Sequence, residues 1–80
     1  SERVLTLYAR RGCHLCDEMA AALEPRLAGR PVCLQTVDID TKPELKARFD
    51  WDVPLLFTGE TEICRHYFDA SAFEIWLSSS

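Results

Sequence analysis

Two cysteines separated by two residues, Cys13-His14-Leu15-Cys16, fall where one residue periodicity gives way to another. Before them, Val4-Leu5-Thr6-Leu7-Tyr8 is β-branched and aromatic enough for a strand, and Arg10-Arg11-Gly12 breaks it. After them, Leu15, Met19, Ala22, Leu23 and Leu27 keep the i, i+4, i+7, i+8 spacing of an amphipathic helix. Asp17 and Glu18 in its first turn complement the helix dipole. Pro25 cannot donate to the carbonyl of Ala21, which predicts a kink or an early last turn, and Gly29 ends the helix. The cysteine pair therefore lies at a strand-to-helix junction, with both sulfurs on one face of the helix start.

The rest of the chain continues in alternation. Val32 to Ile39 reads as a second strand, closed by Asp38-Ile39-Asp40. Thr41 and Glu44 have capping-box spacing, with Pro43 in the first turn of a short helix reaching about Phe49. Leu55-Leu56-Phe57 reads as a buried strand. Gly59 turns the chain, and Ile63 to Tyr67 is its hairpin partner. Asp69 or Ser71 caps a last helix that buries Phe73, Trp76 and Leu77, leaving a frayed tail at residues 78–80. The order β-α-β-α-β-β-α predicts an α/β fold: a parallel βαβ unit with a right-handed crossover, then a hairpin and a terminal helix, in one domain spanning residues 1–80.

Charge and composition exclude several classes. Nine Lys and Arg against 13 Asp and Glu give a net charge of −4, which argues against nucleic acid as a partner. No apolar run approaches the ~18 residues of a membrane span, and no stretch has the order of a signal peptide. A 48% apolar content is too high for a disordered chain. Residues 1–30 carry five basic and four acidic side chains; residues 31–80 carry four and nine.

Four cysteines in 80 residues admit a disulfide scaffold, a metal site or redox chemistry. A CxxC opening the helix of a βαβ unit reads as a redox motif. Unpaired N–H groups and the partial positive charge of the helix N-terminus face Cys13, and Arg10 and Arg11 lie just before it. Both favour the nucleophilic thiolate. Lowering a thiol pKa from ~8.5 to ~6 raises the thiolate fraction at pH 7 about 30-fold, while intrinsic nucleophilicity falls roughly 10–18-fold. The net gain in attack is only ~2–3-fold, and the larger benefit is a better leaving group when Cys16 resolves a mixed disulfide. As a mere staple, so small a loop would contribute less than the ~3 kcal/mol of a 15-residue one.

A metal site is the competing expectation. Cys64-Arg65-His66 completes a nominal Cys₃His set with Cys13 and Cys16, with Cys64 and His66 on one face of a strand. A zinc or iron–sulfur module, or an adaptor with a vestigial motif, is the alternative function. Otherwise Cys33 and Cys64 act as small hydrophobes on strands. His14 is either an exposed helix-start residue or a thiolate-stabilising cation. Trp51 is either packing or an apolar platform for substrate beside the disulfide, and Trp76 is core.

With these features in order, the chain resembles the glutaredoxin-like proteins of the thioredoxin fold over roughly residues 4–77. The likeness is carried by Leu7-Tyr8-Ala9-Arg10-Arg11-Gly12 leading into the motif, by Val37-Asp38-Ile39-Asp40, by Val53-Pro54 and by Asp69. Tyr8 and Arg10 stand where glutaredoxins commonly have a Tyr and a Lys. The resemblance implies a thioredoxin-like, mixed four-stranded sheet flanked by helices. It also implies a cis bond before Pro54 and a Val53 backbone free to pair with a peptide or with glutathione. Asp52 replaces the usual Thr, and His66-Tyr67 occupies the region of a usual glycine pair. Those bulky side chains and the Asp52 charge oppose glutathione.

The reading is a thiol–disulfide oxidoreductase with Cys13 as nucleophile and Cys16 resolving. Arg10 and His14 stabilise the thiolate, and Tyr8, Trp51, Val53 and Pro54 bind substrate. No cofactor is expected other than glutathione, which Asp52 and His66-Tyr67 disfavour. Protein or small-molecule disulfides are the expected partners of a cytoplasmic monomer.

Overall fold

A computed structural model describes residues 3–79. The chain forms β1 (Arg3–Ala9), α1 (His14–Leu27), β2 (Val32–Asp38), a 3-10 turn (Ile39–Thr41), α2 (Pro43–Phe49), β3 (Leu55–Thr58), β4 (Thr61–Arg65) and α3 (Ala70–Ser78). The strands pair in the order β2-β1-β3-β4. β1 runs parallel to β2, from Arg3 opposite Val32 to Ala9 opposite Asp38, and antiparallel to β3, with Leu7 opposite Leu56. β3 and β4 form the antiparallel hairpin, irregular between Leu56 and Phe57. Among the described residues no helix is long and apolar enough to cross a membrane.

Alternation along β1 divides its side chains between two cores. Leu5 and Leu7 face one side and pack with Met19 and Leu23 of α1, Leu56, Cys64, and Phe73 and Trp76 of α3. Tyr8 faces the other side, where Ile39, Phe49, Leu55 and Phe57 gather under α2 with Leu45 and Val53. Side chains buried as completely as Leu5, Leu23, Leu56 and Phe73 each contribute about 1.5–3 kcal/mol. Arg3 ties the start of the sheet to the end of α3. Its guanidinium lies 3.9 Å from the Trp76 ring centroid and donates to the Trp76 carbonyl at 2.9 Å. That carbonyl belongs to the last helical turn, which has no partner within the helix.

Some local expectations hold and others are corrected. α1 runs through Pro25 to Leu27, and the Arg26 guanidinium donates to the Ala22 carbonyl at 2.8 Å near the proline. The Thr41–Glu44 capping box does not form, because Thr41 belongs to the 3-10 turn and donates its hydroxyl to the Asp38 carbonyl at 2.7 Å. Lys42 is the N-cap of α2, without a side-chain cap. β4 lies two residues earlier than its apolar pattern predicts and ends at Arg65, since His66 adopts a left-handed φ of 68°. The tail is held at least to Ser79, whose N–H donates to the Ile75 and Trp76 carbonyls; Ser80 lies outside the described residues. Of the two cap candidates for α3, Asp69 serves, accepting from the Ala72 N–H at 3.0 Å.

Candidate redox site

The parallel β1–α1–β2 unit delivers the cysteine pair to the C-terminal end of β1. Between Ala9 and the helix the chain must reverse in a few residues. Gly12 allows this with φ 71°, a region costly for residues bearing a Cβ. Cys13 is then the N-cap of α1, in extended conformation, and its carbonyl accepts the first helical bond from the Asp17 N–H at 3.2 Å.

Cys13 and Cys16 form a disulfide, with Cα atoms 5.2 Å apart. The Cys16 backbone N–H also donates to the Cys13 sulfur at 3.1 Å. That donor is one of the amides a helix start leaves unpaired, so the fold aims a fixed partial positive charge at Cys13. Cys13 is half-buried, whereas Cys16 is buried at 4% exposure. Solvent therefore reaches the first sulfur more readily than the second. A cavity of about 230 Å³ lies beside Cys16, among Leu7, Ala9, Arg10, Arg11, Asp17 and Asp38.

Arg10 turns toward carboxylates. Its Nε and Nη2 donate to Asp40 at 3.1 Å each, and its Nη1 meets both the carbonyl and the Oδ1 of Asp50 at 3.2 Å. The hydrogen bond to Asp40 raises the pKa of a guanidinium that is already permanently charged. The same guanidinium lies 5.8 Å from the ring of Trp51, which is 84% exposed. His14 is 87% exposed and pairs with Glu18 at 3.6 Å. Tyr8 packs with Phe49 at 4.9 Å and Phe57 at 5.4 Å between ring centroids, in the core under α2 that also takes Val53. Pro54 is buried and follows a cis peptide bond, as the resemblance implies. Among the described residues the N–H and C=O of Val53 have no hydrogen-bond partner, while the Pro54 carbonyl accepts from the His66 N–H at 2.7 Å. Thus Arg10 and Trp51 come together, as do Tyr8 and Val53, in separate groups.

A second charged group was not legible in the sequence. Arg65 reaches Asp52 at 3.3 Å and chelates Glu62 through Nε and Nη2, and the His66 Nε2 lies 3.6 Å from Asp52. The Arg65 hydrogen bond holds the Glu62 carboxyl below the usual range. Asp52, expected to repel an anion, is thus flanked by a cation and an imidazole. Residues 66–68 also face the first turns of α1 across a cleft of about 290 Å³, lined by Leu15, Glu18, Met19, His66, Tyr67 and Phe68. Only Glu62, three residues before Arg65, hinted at such a pairing, and nothing in the sequence hinted at the cleft.

The nominal Cys₃His set does not assemble. Cys64 is packed in the core with Leu56, Phe73 and Trp76, and His66 lies beyond the strand. Among the described residues no three His, Cys, Asp or Glu side chains are placed to hold a metal ion. Burial pushes the Cys64 thiol pKa up, which makes it an inert core residue. Cys33 is a free thiol of intermediate exposure on β2.

A three-helix, four-stranded mixed sheet with a CxxC at the β1–α1 junction and a cis-proline before β3 defines a thioredoxin-like protein of the glutaredoxin-like kind. The family model for the glutaredoxin-like domain (DUF836) matches residues 4–78, and the chain belongs to that family. It is similar to protein Ne2328 of Nitrosomonas europaea, a solution NMR structure, with 34% identity and a TM-score of 0.84 over 98% of this chain and 94% of that one. It is also similar to the X-ray structure of protein XcR50 from X. campestris, with 34% identity and a TM-score of 0.73 over 95% and 97% of the two chains. Thioredoxin 1 from Thermosipho africanus, 19% identical with a TM-score of 0.62 over 92% and 93% of the two chains, shares the fold. No curated protein matches the sequence.

Proposed function

We propose that this chain is a thiol–disulfide oxidoreductase working through Cys13 and Cys16. In the reducing direction the Cys13 thiolate attacks a substrate disulfide, forms a mixed disulfide and expels one substrate thiolate. The Cys16 thiolate then attacks the Cys13 sulfur and releases the second substrate thiolate. Two electrons pass to the substrate, the expelled thiolates take up protons from water, and a Cys13–Cys16 bridge remains.

The observation that carries this reading is the Cys16 N–H directed at the sulfur of the more accessible cysteine. A fixed donor stabilises negative charge on Cys13 both before attack and as it leaves. We assign thiolate stabilisation to this amide first. Arg10, held by Asp40 and Asp50, fixes the segment before the motif, and His14 acts from solvent beside Glu18. The open backbone of Val53 offers strand-like pairing to a polypeptide substrate, with Pro54 as its buried anchor, Trp51 as an exposed platform and Tyr8 supporting Val53 from beneath. Protein or small-molecule disulfides are the partners, no cofactor is needed for the exchange itself, and a reducing compartment such as the cytoplasm suits a cycling dithiol.

The test is turnover of a model disulfide by the reduced protein. Cys13→Ser should abolish it, and Cys16→Ser should accumulate a mixed disulfide at Cys13 visible by intact mass. Full activity in Cys13→Ser would exclude the assignment.

A further inference from the structure

We propose that the rim of the Cys13–Cys16 pair selects polypeptide disulfides that are cationic or neutral beside their cysteine, and disfavours anionic ones, glutathione disulfide included. In the same proposal the cleft between α1 and residues 66–68 takes an apolar side chain of the substrate. The inference rests on the redox reading above and names the substrate class for it.

Its basis is how charge is committed around the sulfurs. Two arginines are already spent: Arg10, which lines the cavity beside Cys16, on Asp40 and Asp50, and Arg65, next to His66 of the second cleft, on Glu62 and Asp52. Arg11 is exposed, but it shares its cavity with Asp17 and Asp38. On the other side, Glu18 stands at the rim of the second cleft, where its only ion-pair partner among the described residues is the exposed His14. An incoming carboxylate thus meets Glu18, with His66 set against Asp52 and Arg26 laid over the Phe68 ring and donating to the Ala22 carbonyl, whereas an ammonium or guanidinium meets Glu18 directly.

The cleft supplies the apolar half of the selection. It begins at Leu15, inside the motif itself, and is walled by Met19 and Phe68, with Tyr67, 70% exposed, at its edge. About 290 Å³ is at the lower limit of small-molecule pockets, so it suits one side chain rather than a whole cofactor. Exposed Trp51 lies beyond Asp52, which links that loop to Arg65 and His66. An extended segment bridging Trp51 and Tyr67 would therefore carry its cysteine across the site with a neighbouring side chain over the cleft.

The magnitude follows from screened electrostatics. One exposed charge about 7 Å from a substrate charge changes its encounter roughly threefold at low salt and much less at high salt. The experiment uses the reduced Cys16→Ser protein and follows mixed-disulfide formation at Cys13 by mass and stopped flow. Four probes are compared: neutral 2,2′-dithiodipyridine, glutathione disulfide, and the homodisulfides of two short synthetic peptides with Leu beside Cys and either Lys or Glu flanking. At low salt the Lys peptide should react about tenfold or more faster than the Glu peptide and glutathione disulfide, and high salt should collapse the difference. Glu18→Gln should cut the Lys-to-Glu ratio about ninefold, because the charge acts about threefold on each peptide in opposite directions. Leu15→Ser should slow the Lys peptide more than it slows dithiodipyridine. Equal rates for the two peptides, or glutathione disulfide matching the Lys peptide, would overturn the selectivity while leaving the redox chemistry standing. No reaction with dithiodipyridine would instead overturn the redox reading itself.

Discussion

The guanidinium of Arg10 grips the carboxylate of Asp40 in parallel, Nε to Oδ2 and Nη2 to Oδ1, both at 3.1 Å. This bidentate pair joins the end of β1 to the turn after β2, and its third nitrogen extends the tie to Asp50 at the end of α2. A Lys cannot reproduce that fork. Arg10→Lys and Arg10→Ala should both loosen the loop that carries Trp51 and raise KM for a peptide disulfide several-fold, with kcat nearly unchanged. The pH profile of Cys13 alkylation should stay in place. A large shift of that profile would restore Arg10 as the source of thiolate stabilisation.

The two remaining thiols should separate by reactivity. Burial raises the pKa of Cys64, so its reactive thiolate is scarce at neutral pH, whereas Cys33 is partly accessible. Iodoacetamide should label reduced native protein at Cys13 first, then Cys33, with Cys64 labelled only on unfolding. Peptide mapping of a time course reads this order directly. Cys64→Ala should cost about 1–2 kcal/mol as a small core truncation and leave disulfide turnover intact.

His66 holds a left-handed φ of 68°, where a Cβ is unfavourable by roughly 1–2 kcal/mol. Glycine relieves that cost but gives up the approach to Asp52. His66→Gly should therefore be neutral or stabilising by up to about 1 kcal/mol, while a β-branched His66→Val should destabilise by more than 1 kcal/mol. Urea unfolding of the pair tests whether the backbone or the imidazole dominates at this position.

Acid stability should carry a small signature of Glu62. Its carboxyl has a lower pKa in the folded chain than when unfolded, because Arg65 favours the charged form. The stabilisation is therefore present above the unfolded value of about 4.3 and is lost as pH falls through the folded one. Glu62→Gln should lower thermal stability slightly at neutral pH and match the parent at low pH, so the loss below about pH 4.5 flattens. The effect is modest because the pair is exposed.

Pro25 interrupts the ladder of α1 without ending it. Pro25→Ala restores an N–H for the Ala21 carbonyl, and so close to the helix end the gain should be about 1 kcal/mol rather than the ~3 kcal/mol of a helix interior. A thermal melt checks this. A loss of stability instead would mean that the chain leaving the helix depends on the proline.

Local signals made the element order, the cysteine junction and most of the core legible. Leu15, Met19 and Leu23 fall on one stripe, and the alternation of β1 separates Leu7 from Tyr8. What failed was decided by competing partners, some of them local and some far away in the chain. The Thr41–Glu44 spacing satisfied a local rule, but Asp38 took Thr41 into a 3-10 turn first. The apolar run to Tyr67 looked like strand, yet His66 takes a left-handed φ and the Tyr67 N–H folds back onto the Arg65 carbonyl, turning the chain there. The partners of Arg10 lie 30 and 40 residues away, and no periodicity announces a pairing of that kind.

β1 is the strand to which this chemistry is anchored. It is hydrogen-bonded on both flanks, to β2 and to β3, and its last residue stands four positions before Cys13. The reactive sulfur is thereby fastened to an interior part of the molecule, whereas the surfaces a substrate first meets, Trp51 and Tyr67, hang from loops at the periphery. Substitutions at those loops can redraw the clientele without disturbing the chemistry, so members of this family should diverge in whom they serve well before they diverge in what they do.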